Sequence, residues 1–304
     1  MVKVSFTIHP DVKKALENRH PVLALESTIL AHGMPFPDNY EFAKMADKIA
    51  LDLGVVPATI AILNGEIKIG LNKEDLEFIC KENSVIKTSL SDLSVTVAGG
   101  KSGATTVSAT MHLASLSGVR VFSTGGIGGV HRYYETNMDL SQDLIALSNV
   151  PMIVVSAGAK AILDLPKTLE ALESLSVSVI GYKTNEFPAF YSRSSGLKLN
   201  NFVTSVDEII KQYSARQALK INSSILVVNP IKEKAEVSAE KIETYLKFAL
   251  NLAREKKISG KGLTPFLLKT MVEQSNGECL RANIALALNN IQLGSEIALR
   301  LANK

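Results

Sequence analysis

Short, continuous apolar runs, each followed closely by glycine or a polar side chain, recur along this 304-residue chain. The strands that we predict around these runs occupy residues 22–25, 59–63, 120–124, 152–156, 178–182 and 224–228, and patterns of helical period separate most of them. An apolar run of four or five residues bounded by turn residues is typical of a strand buried on both faces. Strands that alternate with helices predict an α/β protein with a mainly parallel sheet covered on both faces.

The remaining patterns refine this fold class. Asn64-Gly65 separates residues 59–63 from 66–70 and is typical of a hairpin turn, so part of the sheet is antiparallel. Helices are predicted at 39–53, at 73–82 with Asn72 as N-cap, and from about 103 to 117. Beyond Pro230 the pattern is helical, at 239–256, 266–274 and 280–301. Without a linker or repeat, we expect one domain over residues 1–304, a three-layer α/β/α fold with a mostly parallel, partly mixed sheet and a helical C-terminal third.

Charge and composition narrow the possible partners. The net charge of +3 is small and no dense basic block stands out, so we expect no nucleic-acid partner. No apolar run approaches the roughly 20 residues that a membrane span needs, and the N-terminus lacks a signal-peptide pattern. Cys80 and Cys279 are isolated in sequence, which favours buried free thiols. We therefore expect a cytoplasmic protein that does not contact a membrane.

Polar side chains follow several of the predicted strands where each strand ends. Glu26-Ser27-Thr28 follows the first run, Thr124 ends the run at 120–124 and four glycines come after it, Lys160 follows residues 152–156, and Thr184-Asn185-Glu186 follows residues 178–182. The carboxyl ends of parallel strands share one edge of the sheet, where α/β proteins bind their ligands. The sequence therefore predicts a functional site at this edge.

Two of these segments have features of an anion site. In residues 103–107, small and hydroxyl side chains at a helix start leave backbone N–H groups for phosphate oxygens, although ordinary N-capping is an equal interpretation. The four glycines of residues 124–129 predict close approach to a ligand or unusual dihedral angles. Their spacing matches neither a dinucleotide fingerprint nor a Walker loop. His131, directly after them, is a candidate phosphate donor.

Lys160 lies among alanine and glycine after an apolar strand. Desolvation there would lower its pKa and free the amine for attack on a sugar carbonyl, whereas the alternative role is an ion pair with Asp164. Glu26 is a candidate for proton transfer or for capping a turn. Asp139 and Asp143 are four residues apart, so they either share a helix face that suits Mg²⁺ or Mn²⁺, or Asp139 begins a helix.

Longer blocks around these residues resemble the pseudouridine-5′-phosphate glycosidases, also called indigoidine synthase A-like proteins. The blocks occur in family order across nearly the whole chain. They include Leu25-Glu26-Ser27-Thr28-Ile29-Leu30-Ala31-His32-Gly33-Met34-Pro35, Gly103-Ala104-Thr105-Thr106-Val107, Thr124-Gly125-Gly126-Ile127-Gly128-Gly129-Val130-His131-Arg132, Ala157-Gly158-Ala159-Lys160, Glu186-Phe187-Pro188-Ala189-Phe190-Tyr191-Ser192-Arg193 and Ala282-Asn283-Ile284. The chain departs from the family at Tyr133-Tyr134 and Asn137-Met138.

The resemblance implies reversible cleavage of the C–C glycosidic bond of pseudouridine 5′-phosphate to uracil and ribose 5-phosphate. It places the Schiff-base lysine at Lys160, the acid–base glutamate at Glu26 and the ligand of a divalent metal, usually manganese, at Asp143. It also implies an α/β/α fold and a homotrimer. The phosphate contacts that it implies are Lys87, Thr106, Thr124, His131 and Asn283.

Two other function classes stay open from the residues alone. A phosphosugar transferase or kinase of similar α/β architecture would need a nucleotide site, and the sequence has no Walker-type loop. A non-catalytic sugar-phosphate sensor would bind the same ligand but would not use Lys160 as a nucleophile.

Overall fold

The computed structural model of the chain describes residues 5–303, without the side chains of Asn137 and Lys261. Its strands are β1 (Phe6–Ile8), β2 (Val22–Glu26), β3 (Val56–Leu63), β4 (Glu66–Ile69), β5 (Ile86–Thr88), β6 (Gly103–Thr105), β7 (Val121–Ser123), β8 (Ile153–Ser156), β9 (Ser178–Tyr182), β10 (Phe202–Val203) and β11 (Ile225–Val228). Its helices are α1 (Pro10–Glu17), α2 (Thr28–His32), α3 (Asp38–Asp52), α4 (Lys73–Lys81), α5 (Leu93–Ala98), α6 (Val107–Leu116), α7 (Tyr134–Asn137), α8 (Gln142–Asn149), α9 (Leu165–Ser174), α10 (Val206–Ala218), α11 (Ala239–Glu255), α12 (Leu263–Gln274) and α13 (Glu278–Ala302).

One sheet organises the molecule, in the order β1-β4-β3-β2-β7-β8-β11-β9-β10, and β6 joins β5 to β3. Strands β2, β7, β8, β11 and β9 run parallel, whereas β3 pairs antiparallel with both β4 and β6. The predicted mostly parallel, partly mixed sheet is therefore confirmed. The parallel arrangement brings the ends of β2, β7 and β8 to one edge.

Helices cover both faces of this sheet, as the predicted three-layer fold requires. Helix α13 packs on β2, β7 and β8 and contacts α3 and α10, while α6 packs on β2 and β3 and contacts α8. From α11 onward the chain is helical, as predicted. Within residues 5–303, no helix combines the length and apolar composition that a membrane crossing requires.

The predicted strands form because their side chains are buried on both faces. All five residues of β2 are buried, and so are all four of β8 and of β11. The hairpin turn is also confirmed, because Asn64 and Gly65 have φ values of 50° and 80°, as a type I′ turn needs. Asn72 caps α4 as predicted, and its side-chain oxygen accepts from the Asp75 amide at 2.8 Å.

The structure departs from the predictions at short elements. Residues 103–105 form β6 instead of beginning a helix, and α6 starts only at Val107. Strand β6 pairs with β3 and β5, so its conformation depends on contacts that are distant in sequence. Strands β1, β5 and β10 were not predicted because two or three residues carry too little periodicity. The single domain over 1–304 stays a prediction, since residues 1–4 and 304 lie outside the described part; the described residues share one hydrophobic core.

Candidate functional site

A cavity of about 180 Å³ lies at the carboxyl edge of the sheet, where β2, β7 and β8 end. Helices α2, α6, α8, α12 and α13, strand β5 and several loops also contribute to its wall. The structure brings seven of the eight predicted site residues to this cavity: Glu26, Lys87, Thr106, His131, Asp143, Lys160 and Asn283. Thr124, the eighth, lies directly behind the wall and contacts Glu26.

Glu26 ends β2 as a buried carboxylate that is only 7% exposed. The Thr124 hydroxyl donates a hydrogen bond to its Oε1. Burial raises the pKa of Glu26 above its ordinary value, while the positive charge of Lys160 and the Thr124 hydrogen bond act in the opposite direction. A buried carboxyl with a raised pKa beside a lysine is a candidate for taking up and releasing a proton during a reaction.

Lys160 is positioned by a backbone ladder that continues beyond β7 and β8. The Lys160 amide donates to the Ile127 carbonyl at 3.0 Å, and the Ile127 amide donates to the Gly158 carbonyl at 3.1 Å. The alternative ion pair with Asp164 is not observed. Asp164 instead caps α9 and accepts from the Lys167 ammonium at 2.6 Å. The half-buried Lys160 side chain therefore lines the cavity, and within residues 5–303 no ion pair ties it to a carboxylate.

Positive groups gather around the start of α6. Thr106 is the N-cap of α6, and its amide donates to the Thr88 carbonyl at 2.9 Å, beside Lys87 on β5. Burial, reinforced by the charge of Lys160, lowers the pKa of Lys87, and burial also lowers the pKa of His131. A helix N-terminus, a lysine and a histidine are groups that bind anions in other proteins, and we call Lys87, Thr106 and His131 the anion region.

Asp143 joins three elements at the floor of the cavity. Its Oδ1 accepts from the Ser108 amide at 2.9 Å, and its Oδ2 accepts from the Gly128 amide at 2.8 Å. The expectation that Asp139 and Asp143 share a helix face is wrong, because α8 begins at Gln142 and its N-cap is Ser141. Both carboxylates nevertheless line the same cavity.

The glycines after β7 lie close to the protein's own side chains, and none of the four has a positive φ, so the predicted unusual dihedral angles are not observed and the predicted approach to a ligand stays a prediction. A Cβ added at Gly128 would lie 2.5 Å from the Ser141 Cβ and 2.8 Å from Asp143 Oδ2. One added at Gly126 would lie 2.5 Å from the ring of Phe190. A side chain at either position would displace the Ser141 or Phe190 side chain of the cavity wall, so glycine fits both positions.

Sequence patterns did not identify the amide that holds this loop. Asn290 of α13 is fully buried, and its Nδ2 donates to the carbonyls of Thr124 at 2.9 Å and of Gly125 at 3.2 Å. Its Oδ1 accepts from Asn229 Nδ2 at 3.1 Å. The one sequence signal for this role of Asn290 was a polar residue within an apolar helical run. A polar side chain on a buried helix face needs a hydrogen-bond partner, so such a residue is a candidate for holding a neighbouring segment.

One predicted strand-end candidate lies outside the site. Glu186 is not part of the cavity wall and accepts from the Lys198 ammonium at 2.9 Å. The Glu186 side chain, which follows β9, thus forms an ion pair outside the cavity. Strand β9 lies near the margin of the sheet, away from β2, β7 and β8.

A cavity of this composition at the carboxyl edge of an α/β sheet defines a small-molecule enzyme site. Residues 11–300 match the family model described as indigoidine synthase A like protein, and the chain belongs to that family. It is 50% identical over 291 residues to the pseudouridine-5′-phosphate glycosidase of Caldanaerobacter subterraneus, covering 96% of this chain and 95% of that protein. The corresponding enzyme of Dinoroseobacter shibae is 48% identical, with 97% and 96% covered.

Two solved structures share the fold. An indigoidine synthase A-like protein from Thermotoga maritima superposes with a TM-score of 0.90 at 37% identity, covering 98% of this chain and 97% of that one. The prealnumycin C-glycosynthase AlnA, solved in complex with ribulose 5-phosphate, also gives a TM-score of 0.90 at 31% identity, covering 99% and 98%.

Proposed function

We propose that the chain is a pseudouridine-5′-phosphate glycosidase, which reversibly converts pseudouridine 5′-phosphate and water to uracil and ribose 5-phosphate. The observation that carries the proposal is the convergence of Lys160, Glu26 and the anion region on one cavity. The relatives with that name cover nearly the whole chain at about half identity. The AlnA complex adds that a related fold accommodates a pentose phosphate.

The chemistry explains why an amine is needed. A C–C glycoside has no heteroatom leaving group, so a pair of carboxylates is not enough. In the proposed reaction the Lys160 amine displaces the ring oxygen from C1 of the ribose, and Glu26 protonates that oxygen. The nitrogen lone pair then forms a C1=N iminium as the C1–uracil bond breaks, and the uracil carbon takes a proton. Water hydrolyses the iminium, which releases ribose 5-phosphate and restores the amine.

The anion region supplies the binding part of the proposal. Lys87, Thr106 and His131 would hold the 5′-phosphate, with Thr124 and Asn283 completing the set that the resemblance implies. Neutralising a phosphate dianion with a lysine and a helix N-terminus is favourable in a buried cavity. Fixing the phosphate also sets the position of C1 relative to Lys160.

A divalent metal, expected to be manganese, is a further part of the proposal. Among the described residues no cluster of three metal-ligating side chains occurs, so the ion would be held through Asp143 and waters, which suits Mg²⁺ or Mn²⁺. Such an ion supplies oriented, acidified water. Mn²⁺ titration followed by thermal unfolding tests this directly: Asp143→Asn should abolish the Mn²⁺-dependent rise in Tm, whereas loss only in Asp139→Asn would assign the ion to Asp139.

A homotrimer and a cytoplasmic location complete the proposal. Large exposed apolar side chains follow the glycine loop, at Tyr133, Met138, Leu140 and Ile145, and would be covered in an assembly. The two cysteines are buried free thiols, which fits a reducing compartment. Sedimentation equilibrium should give three times the chain mass, and a monomer at micromolar concentration would contradict the trimer.

Turnover of the substrate tests the activity. Purified protein with Mn²⁺ and pseudouridine 5′-phosphate should release uracil and ribose 5-phosphate in equal amounts, measured by chromatography. A sensor would bind the phosphosugar without releasing uracil, and a kinase or transferase would require a nucleotide or another acceptor. Binding without release in the presence of Mn²⁺ would contradict the proposal.

A further inference from the structure

A side-chain amide of the last helix reaches the loop after β7 from behind the cavity. Asn290 is fully buried on α13 and is not part of the cavity wall. Its Nδ2 donates to the carbonyls of Thr124 and Gly125 at 2.9 and 3.2 Å. Because a carbonyl only accepts hydrogen bonds, this end of the amide must be the nitrogen with its two N–H groups. An apolar side chain, or one that only accepts, could not make these contacts.

A second amide holds Asn290 in this orientation. Asn229 follows β11, and its Nδ2 donates to Asn290 Oδ1 at 3.1 Å and to the Asn289 carbonyl at 3.3 Å. The backbone amide of Asn229 donates to the Ser156 carbonyl at the end of β8, at 2.8 Å. Every side-chain N–H of the two asparagines thus has an acceptor, and a fully satisfied buried network favours one rigid arrangement. We call Asn229 and Asn290 the asparagine pair.

The asparagine pair is connected to the proposed proton carrier through Thr124. The Thr124 backbone amide donates to the Val155 carbonyl at 3.0 Å, and its carbonyl accepts from Asn290. Both backbone groups of Thr124 are therefore bonded, which fixes the direction of its side chain. The hydroxyl of that side chain donates to Glu26. The hydrogen bond to Glu26 thus depends on a backbone position that Asn290 holds.

The same amide also touches the frame that carries the proposed nucleophile. The Gly125 carbonyl accepts from the Ala157 amide at 2.9 Å as well as from Asn290. Ala157 begins the turn that reaches Lys160 three residues later. In a reaction that needs an amine and a proton carrier at one carbon atom, the rate depends on how closely their positions are fixed.

We propose that Asn290, oriented by Asn229, is a positioning residue that keeps the Thr124 hydroxyl on the carboxyl of the proton carrier. The inference rests on the proposed function. Neither asparagine lines the cavity, so neither would touch the substrate. An amide with a structural role alone would affect only stability, whereas a positioning amide also affects the rate at saturating substrate.

The first test removes the amide with a side chain of similar size. In Asn290→Leu, kcat at saturating pseudouridine 5′-phosphate should fall about 10- to 100-fold, as expected when a reacting group is displaced by about an ångström. The matched control is Asn289→Leu. Asn289 is the neighbouring residue of α13, but its side chain donates to the Pro230 carbonyl at 3.2 Å and not to the loop after β7. Its kcat should stay within about twofold of wild type.

A double-mutant cycle separates positioning from a general loss of stability. If Asn290 acts through the Thr124 hydroxyl, its removal costs little once that hydroxyl is gone. The kcat of the double variant Thr124→Val/Asn290→Leu should therefore lie within about threefold of the lower single variant, whereas independent effects would multiply.

The pH profile of kcat/KM gives a second readout. Burial raises the pKa of Glu26, and the Thr124 hydrogen bond lowers it. The charged groups that act on Glu26 stay the same in Asn290→Leu: Lys160, Asp143 and Lys87. A weaker Thr124 hydrogen bond should therefore raise the pKa of Glu26, so the limb that Glu26 controls should move to higher pH. Asn289→Leu should leave this limb in place.

Asn229→Leu keeps the test available if Asn290→Leu does not fold, which thermal unfolding would show. This variant leaves the donors of Asn290 in place but removes the group that orients them. Its kcat should fall about 3- to 10-fold, the effect of one lost hydrogen bond. The cycle of Asn229→Leu with Thr124→Val should again be less than multiplicative. A wild-type kcat in Asn229→Leu would overturn the role of the pair.

Borohydride trapping of ribose 5-phosphate on Lys160 separates this inference from the proposed function. The amine is intact in Asn290→Leu, so the adduct should form there as it does in wild type. An adduct in wild type together with a wild-type kcat in Asn290→Leu, an equal loss in Asn289→Leu, or a multiplicative cycle overturns the positioning role alone. Absence of the adduct in wild-type protein overturns the proposed function.

Discussion

Two carboxyl groups near opposite edges of the sheet share a raised pKa but differ in their surroundings. Burial is the first cause of the raised pKa of Glu26, yet Lys160, Lys87 and the Thr124 hydroxyl oppose it. Asp47 of α3 lines a separate cavity beside the start of β3, and burial alone raises its pKa to about 6. A raised pKa is therefore not enough to mark a catalytic acid. The opposing positive charges at the carboxyl edge distinguish Glu26.

The largest expected loss of activity comes from removing the Lys160 amine, whose positive charge acts against the effect of burial on the pKa of Glu26. Lys160→Met removes the proposed nucleophile, so kcat for pseudouridine 5′-phosphate cleavage should fall about 10⁴-fold or more, as for other covalent catalysts. The matched control is Lys167→Met, an exposed lysine that contacts Asp164, which should retain wild-type kcat. Comparable losses in both variants would show that Lys160 acts through general charge instead of covalent chemistry.

The two carboxyl groups can be compared by the same substitution. Glu26→Gln removes the proton carrier and should lower kcat about 10²- to 10⁴-fold, the usual range for general acid–base groups. Asp47→Asn should leave kcat within about twofold, since Asp47 lines a separate cavity at the opposite edge of the sheet, beside the start of β3. Steady-state kinetics at pH 7.5 measure both. Similar kcat values for the two variants would contradict the assignment of Glu26, and not Asp47, as the proton carrier.

The hydroxyl that donates to Glu26 gives a smaller, pH-dependent effect. The Thr124 hydrogen bond lowers the pKa of Glu26, so Thr124→Val should raise that pKa further. The limb of the pH profile of kcat/KM that Glu26 controls should then move to higher pH, while Thr124→Ser should leave it in place. An unchanged limb in Thr124→Val would indicate that the hydroxyl positions the phosphate only.

The smallest effect concerns stability at Asp47. Its pKa is about 6 in the folded chain against an ordinary value of 3.8, so the folded state binds the proton more tightly. The stabilisation from protonation is present below about pH 4 and is lost as pH rises through about 6. Asp47→Asn should therefore increase the free energy of unfolding by about 1–3 kcal/mol at pH 8 relative to wild type. Denaturant unfolding at pH 4 and pH 8 should show the gain only at pH 8.

The sequence predicted the parts of the site that one strand and its exit define. Glu26, Thr124 and Lys160 each follow an apolar run, so parallel strand ends were enough to bring them together. The contacts of Asp143 with Ser108 and Gly128 join three elements far apart in sequence, and no local pattern encodes them. The same holds for Asn290, which supports the glycine loop from the last helix.

Trapping the intermediate on Lys160 tests the central claim most directly. Protein incubated with ribose 5-phosphate and reduced with borohydride should carry one added reduced pentose phosphate. Peptide mass spectrometry should place it on Lys160, and Lys160→Met should carry none. An adduct on another lysine, or no adduct in protein that still binds ribose 5-phosphate, would contradict the Schiff-base mechanism.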